Sequence, residues 1–143
     1  MYAKIDGSTI VKYPYTFRDL QKDHSNVSFP KTLNATVKAA YNVADVNENA
    51  KPDHDPLTEE VVETAMTVVD GVAQRNFAKR DLSSSVKAEN IRRVRTDYLK
   101  NTDYLALSDV VMSDEWKTYR QELRDIPEQA GFPDNVSWPT APS

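Results

Sequence analysis

An α+β fold is predicted by two kinds of signal that occupy different halves of the chain. Residues 1–82 contain two Asp-Gly dipeptides, each flanked by β-branched and aromatic residues. Residues 83–143 contain two apolar stripes at helical spacing, closed by a segment rich in aromatics and proline. The expected arrangement is a small β-rich amino-terminal part with two hairpins (1–82), followed by an α-helical hairpin with an ordered, extended tail (83–143).

The first hairpin is built from Tyr2, Lys4 and Ile5 on one side of Asp6-Gly7 and Ile10, Val11 and Tyr13 on the other. Asp-Gly is a strong hairpin signal because both residues tolerate positive φ. Pro14 is expected to end the second strand, since it lacks an N–H. The hydroxyl of Thr16 can cap a helical turn that runs through Leu20. Asn26-Val27-Ser28-Phe29-Pro30 then reads as extended, because a residue before proline is pushed out of the helical region. Ala35–Tyr41 reads as a short helix that gives way to a strand at Tyr41–Val46. Residues 47–56 are polar, hold Pro52 and Pro56, and read as a loop. The second hairpin runs from Val61, Val62, Met66, Val68 and Val69 through Asp70-Gly71 to Val72, Gln74, Asn76 and Ala78, with some irregularity expected within 60–66.

Punctuation by Asp81 or by Ser83–Ser85 separates this part from the next. Val86, Ile91, Val94, Tyr98 and Leu105 recur at helical spacing among Lys, Glu, Arg, Asp and Asn, which predicts a helix from about 84 to 100, with an extension to Leu105 as the longer reading. Ser113 is an N-cap type, and Asp114 and Glu115 follow where the positive end of the helix dipole favours carboxylates. Trp116, Tyr119, Leu123 and Ile126 then form a single stripe, and Pro127 stops the helix at Ile126. Two such helices joined by a short connection make an αα-hairpin. Both tryptophans and three of the eight prolines lie within 116–139. An aromatic tail of that kind is stable only when it packs on something.

Composition narrows the function. There is no cysteine, so disulfides and thiolate metal sites are excluded. Residues 1–82 carry 10 basic and 12 acidic side chains, and residues 83–143 carry 8 and 10, so each half has a net charge of −2. Without a basic half, nucleic-acid binding lacks its electrostatic basis. No apolar run approaches the roughly 18 residues that span a bilayer, and no basic-then-apolar leader is visible. A soluble chain without membrane contact is expected.

The chemistry-bearing residue types are few. Asp53-His54-Asp55 has ligand-like residues, but a metal needs three or four converging donors, so a solvated loop is the expected role. His24 has no nucleophile at a meaningful spacing and reads as a surface histidine near a turn. Arg92-Arg93-Val94-Arg95 offers charge for phosphates, yet Glu89, Asp97 and Asp103 are close enough for local ion pairing on a wet face. Glu122, Asp125 and Glu128 lie beside Arg120 and Arg124 on the outer face of the second helix, where carboxylates stay ionised. No phosphate loop, dinucleotide fingerprint or nucleophile elbow is present. No catalysis and no cofactor are expected. The aromatic stripe has two compatible readings: core against the preceding helix, or anchors for a partner, since Trp, Tyr and Arg dominate binding energy.

The order Thr102-Asp103-Tyr104, Leu107, Asp109, Trp116, Tyr119-Arg120-Gln121, Leu123-Arg124-Asp125-Ile126-Pro127, Gln129, Gly131-Phe132-Pro133, Val136 and Trp138-Pro139 resembles the carboxy-terminal domain of the phage tail assembly chaperone family. The likeness covers roughly residues 91–142. Ile10–Tyr15, Leu20, Asn26–Pro30 and Val69–Val72 resemble the companion region of such proteins less specifically. Tyr104 stands where the family usually carries tryptophan, and the connection at 110–114 is short.

The resemblance implies a bacteriophage protein that assists tail or tail-fibre assembly by binding another protein in the cytoplasm of the infected bacterium. The alternative it allows is a structural component retained in the virion. The implied partner is a phage tail or tail-fibre protein, with a second copy of the chain as a further one. The residues expected to bind it are Trp116, Tyr119, Arg120, Arg124, Phe132 and Trp138.

Overall fold

The computed structural model describes residues 1–107 and 110–143; Asp109, part of the family resemblance, lies outside the described residues. The elements are β1 (Tyr2–Asp6), β2 (Thr9–Tyr15), α1 (Phe17–Asp23), α2 (Ala35–Ala40), β3 (Val43–Glu48), β4 (Glu59–Val69), β5 (Val72–Asp81), α3 (Ser84–Lys100) and α4 (Asp114–Asp125), with single 3-10 turns at Asp103–Ala106 and Ile126–Glu128. This is an α+β protein. The chain divides into two compact units: residues 1–53 with 61–79, and residues 54–60 with 80–143.

In the first unit the two hairpins join one five-stranded sheet in the order β2-β1-β3-β5-β4. β1 is antiparallel to β2 and to β3, and β3 runs parallel to β5. The turn after β4 matches expectation: Asp70 and Gly71 both have positive φ, at 50° and 75°, as a type I′ turn requires. The first turn is displaced by one residue. Asp6 pairs with Thr9 as the last rung of the ladder, and only Gly7 is left-handed, with φ 58°.

Three other expectations need correction. Pro14 does not end its strand, because β2 continues to Tyr15. β2 is an edge strand, where a residue without an N–H is tolerated. β3 reaches Glu48, so it takes in residues that read as loop. Arg75 explains why a polar strand end holds. Its Nη1 donates to Glu48 at 2.6 Å, and its Nε and Nη2 grip Glu63 at 2.9 Å each. One guanidinium thus ties β3, β5 and β4 together, and it holds the Glu63 carboxyl below its usual pKa. Residues 60–66 are regular strand.

The core of this unit has two parts. Tyr15, Leu20, Leu33 and Val43 are buried together, with Phe17, Phe29 and Tyr41 packed on them. Ala3, Ala44 and Ala73 are buried on adjacent strands. His24 lies edge-on to Tyr41 at 4.8 Å and to Phe29 at 6.3 Å, inside an aromatic cluster.

α1 starts in a full capping box: the Thr16 hydroxyl accepts from the Asp19 N–H at 3.2 Å, and the Asp19 carboxylate accepts from the Thr16 N–H at 2.8 Å. Lys12 also donates to Asp19 at 2.7 Å. One turn on, Asp23 accepts from Lys4 at 3.0 Å and from the Tyr15 hydroxyl at 2.8 Å. The bond from Lys12, then those from Thr16, hold the Asp19 carboxyl far below the ordinary carboxylate range. The bond from Lys4, then that from Tyr15, does the same more mildly for Asp23. Burial, reinforced by Asp23, pushes the Tyr15 phenol up.

Depressed carboxylate pKa values stabilise the fold above the unfolded pKa of about 4, and that contribution is lost as pH falls through the folded values. The first unit is therefore expected to lose stability as pH drops below about 4. An Asp19→Asn, Asp23→Asn double variant should melt lower than the parent at pH 7 and show a flatter acid limb, as read by thermal circular dichroism between pH 7 and pH 3.

Candidate functional site

The second unit is built on α3 and α4, and both start as the sequence predicts. Ser83 accepts from the Val86 N–H, and Ser113 from the Trp116 N–H at 3.4 Å. Ser113 also holds the Glu115 carboxyl below its usual range, and Lys117 does so for Asp114. α3 ends at Lys100 and does not reach Leu105. Residues 103–106 tighten into a 3-10 turn instead.

The stripe on α4 is a seam. Tyr119, Leu123 and Ile126 are buried with Ile91 of α3, and Leu99 and Trp116 pack against them. Two helices alone leave this cluster open on one side. Phe132, Val136 and Trp138 of the tail close it.

Three devices hold the tail. Gln129 uses its side-chain amide as a backbone mimic: Nε2 donates to the Ser137 carbonyl at 2.9 Å, and Oε1 accepts from the Ser137 N–H at 2.8 Å. Lys87, buried on α3, donates to Asp134 at 2.9 Å and lies 3.6 Å from Asp81; the bond to Asp134 raises its pKa. Gly131 allows a close turn in which the Asn135 N–H donates to the Gly131 carbonyl at 2.7 Å. A Cβ at Gly131 would sit 2.1 Å from the Asn135 carbonyl oxygen.

Arg120 locks the far end of the pair. It is buried, and its Nη1 donates to the Leu99 carbonyl at 3.0 Å and to the Thr102 hydroxyl, while Nη2 reaches Asp103 at 2.9 Å. Thr102 in turn donates to the Leu99 carbonyl at 2.9 Å. A cation therefore sits on the negative end of the α3 dipole, at a carbonyl that also accepts from the Thr102 N–H at 3.1 Å.

Of the six expected partner residues, Trp116, Tyr119, Phe132 and Trp138 are brought together around this seam. Trp116 meets Tyr119 edge-on at 5.6 Å, and Trp138 meets Tyr98 at 5.5 Å. Trp116, Phe132 and Trp138 are half-buried and keep an edge at the surface. Arg120 faces inward, with its donors on the chain's own atoms, and Arg124 is exposed. The basic run on α3 does not pair as its spacing suggests. Arg92 lies over the Phe132 ring at 5.2 Å, and Arg93 donates to Asn90 at 3.4 Å. Asp53-His54-Asp55 is structural at its last residue, where Asp55 accepts from the Leu57 N–H at 2.9 Å. Among the described residues no group of side chains is placed to hold a metal ion, and no helix is long and apolar enough to cross a membrane.

One surface was absent from the sequence-based expectations. Tyr104, Leu107, Val110 and Val111 are all exposed on the connection between α3 and α4. The signal was legible as seven apolar residues within the nine positions 104–112, a density that connecting segments seldom carry.

Residues 88–143 match the family model described as phage tail assembly chaperone protein. The matched stretch covers most of α3, the whole of α4 and the pinned tail, so the resemblance read from the residues holds. The match supports a role in phage tail assembly. Neither among curated proteins nor among solved structures does the chain have a match.

Leu123→Ala is expected to cost about 2–5 kcal/mol, the range for an aliphatic side chain removed from a closed core. Arg120→Met should cost about 1–3 kcal/mol through loss of the bonds to Leu99 and Thr102. Asp103→Asn, at an exposed carboxylate, should cost much less. Urea midpoints of the three variants test this order.

Proposed function

We propose that the chain is a bacteriophage tail-assembly protein that works by binding a tail or tail-fibre protein in the infected cell, without bond chemistry. The observation that carries this reading is the match over residues 88–143. It falls on a body whose aromatics are fixed in place and whose polar groups are used to hold the fold. Residues 83–143 act in this reading as the assembly domain and residues 1–82 as its companion. Trp116, Phe132 and Trp138 supply rigid aromatic edges to the partner, and Arg124 supplies hydrogen bonds. Tyr119 and Arg120 act from beneath, by fixing the surface that the others present.

Affinity capture from infected cells, with recovered proteins identified by mass spectrometry, tests the reading. Tail or tail-fibre proteins are expected with the parent chain, and fewer with Trp138→Ala. Recovery of no tail protein would overturn it. Mass spectrometry of purified virions fixes the mode of action: an assembly factor is missing from the particle, whereas a retained component is stoichiometric.

A further inference from the structure

We propose that a cavity between residues 54–60 and the tail binds one lysine or arginine side chain, presented by the tail protein whose binding is proposed above; its presentation by a tail protein rests on that reading. The cavity measures about 160 Å³, and all of its lining belongs to the second unit. That is close to the size of an engineered cavity that takes up one benzene ring. It is well short of the roughly 300–1,000 Å³ that hold a drug-sized ligand. The space therefore suits a single side chain. Ile91 of α3, almost wholly removed from water, is the innermost part of the lining. Leu57, Pro133, Val136 and Trp138 are half-buried and complete its apolar wall. Asp55 and Asp134 line the same cavity, and both are exposed. Apolar surface lies inside and carboxylates lie outside. That is the order of groups along a side chain that buries an alkyl stem and keeps a charged head in water.

Both walls are held in place by the chain itself. The Asn90 side-chain amide of α3 donates to the Leu57 carbonyl at 3.3 Å, and the Leu57 N–H donates to Asp55 at 2.9 Å. The Leu82 N–H donates to the Thr58 carbonyl at 2.9 Å. The opposite wall is the stretch of tail pinned by Gln129, Lys87 and Gly131. A preformed cavity lowers the entropic cost of binding. Charge selects the occupant. No lysine, arginine or histidine lines the cavity. Lys87 bonds one oxygen of Asp134, and among the described residues no cation pairs with Asp55. A purely apolar side chain would fill the inside and leave the Asp55 carboxylate beside it less hydrated and without a counter-charge. An acidic side chain would be repelled. A metal needs three or four converging donors, and among the described residues no such group exists. Asp55 and Leu57 lie outside the matched residues 88–143, so the family match does not account for this wall.

The test uses the full chain and the capped amides of lysine, arginine and norleucine, the last having a lysine-like stem without the charge. The Trp138 indole N–H signal in nuclear magnetic resonance spectra reports occupancy. The lysine or arginine amide is expected to shift it, with an affinity in the millimolar range that so few atoms allow. The norleucine amide should bind about fivefold more weakly or worse, the size of one exposed charge pair. Asp55→Asn keeps an oxygen for the Leu57 N–H and removes the charge. It should weaken the cationic amides about threefold or more, as should added salt, and unchanged melting confirms that the fold is intact. An equal response to norleucine amide, affinity unchanged in Asp55→Asn, or no shift with any amide overturns the proposal. Capture of tail proteins from infected cells is expected to fall with Asp55→Asn. Equal capture by parent and variant would overturn the use of this cavity by the tail protein and leave the assembly role standing. Binding of the cationic amides with no tail protein captured would overturn the assembly role and leave the preference of the cavity standing.

Discussion

The second unit depends on one constraint: Ile91, Leu123 and Ile126 are almost wholly removed from water, and two helices of 17 and 12 residues cannot do that alone. A pair of helices has one shared seam and leaves its flanks wet. Phe132, Val136 and Trp138 supply the missing wall. The tail is accordingly part of the core, although it contains neither helix nor strand after the 3-10 turn. An extended segment has unpaired backbone groups that must be satisfied. Gln129 does this for Ser137 in both directions, which lets an irregular chain lie on an apolar surface.

The polar groups follow the same logic of closure. Arg120, Lys87 and Arg75 each join elements that hydrophobic contact alone would hold loosely. Arg120 bridges α4 to the end of α3, Lys87 links α3 to the tail, and Arg75 spans three strands. Burying a guanidinium or an amine is favourable only when its donors are matched, and here they are matched to carbonyls, a hydroxyl and carboxylates. These charges therefore specify geometry more than they add stability. Arginines beside aromatics in the sequence resemble a contact surface, and at Arg120 the same residue type is interior scaffolding.

Local signals were the legible ones. Thr16, Ser83 and Ser113 mark helix starts through hydroxyls that accept from a backbone N–H three residues on, and Asp70-Gly71 marks its turn through backbone strain that few residues tolerate. The seam on α4 could be read residue by residue, because 3.6-residue periodicity shows on a helix without knowledge of its partner. What could not be read depends on distant pairing. The parallel contact of β3 with β5 joins residues far apart in sequence, and its polar end is held by Arg75 from another strand. β2 continues through Pro14 because it is an edge, a position that strand order decides and no local pattern reveals. The inward turn of Arg120 requires the end of α3 to be in place first. The apolar connection was visible in composition, but Leu105 at helical spacing drew it into the helix reading and hid its exposure.

The fold thus separates two kinds of aromatic and aliphatic side chain within 60 residues of chain. One kind is enclosed, with each neighbouring donor and acceptor occupied by the protein itself. The other stands on a short connection whose ends are locked by Arg120 and Ser113. A segment that only linked helices would gain solubility from polar side chains at Leu107 and Val111, and nothing in the packing of α3 against α4 requires apolar ones there. Keeping them exposed carries a standing risk of aggregation, which the surrounding carboxylates reduce by like-charge repulsion between copies.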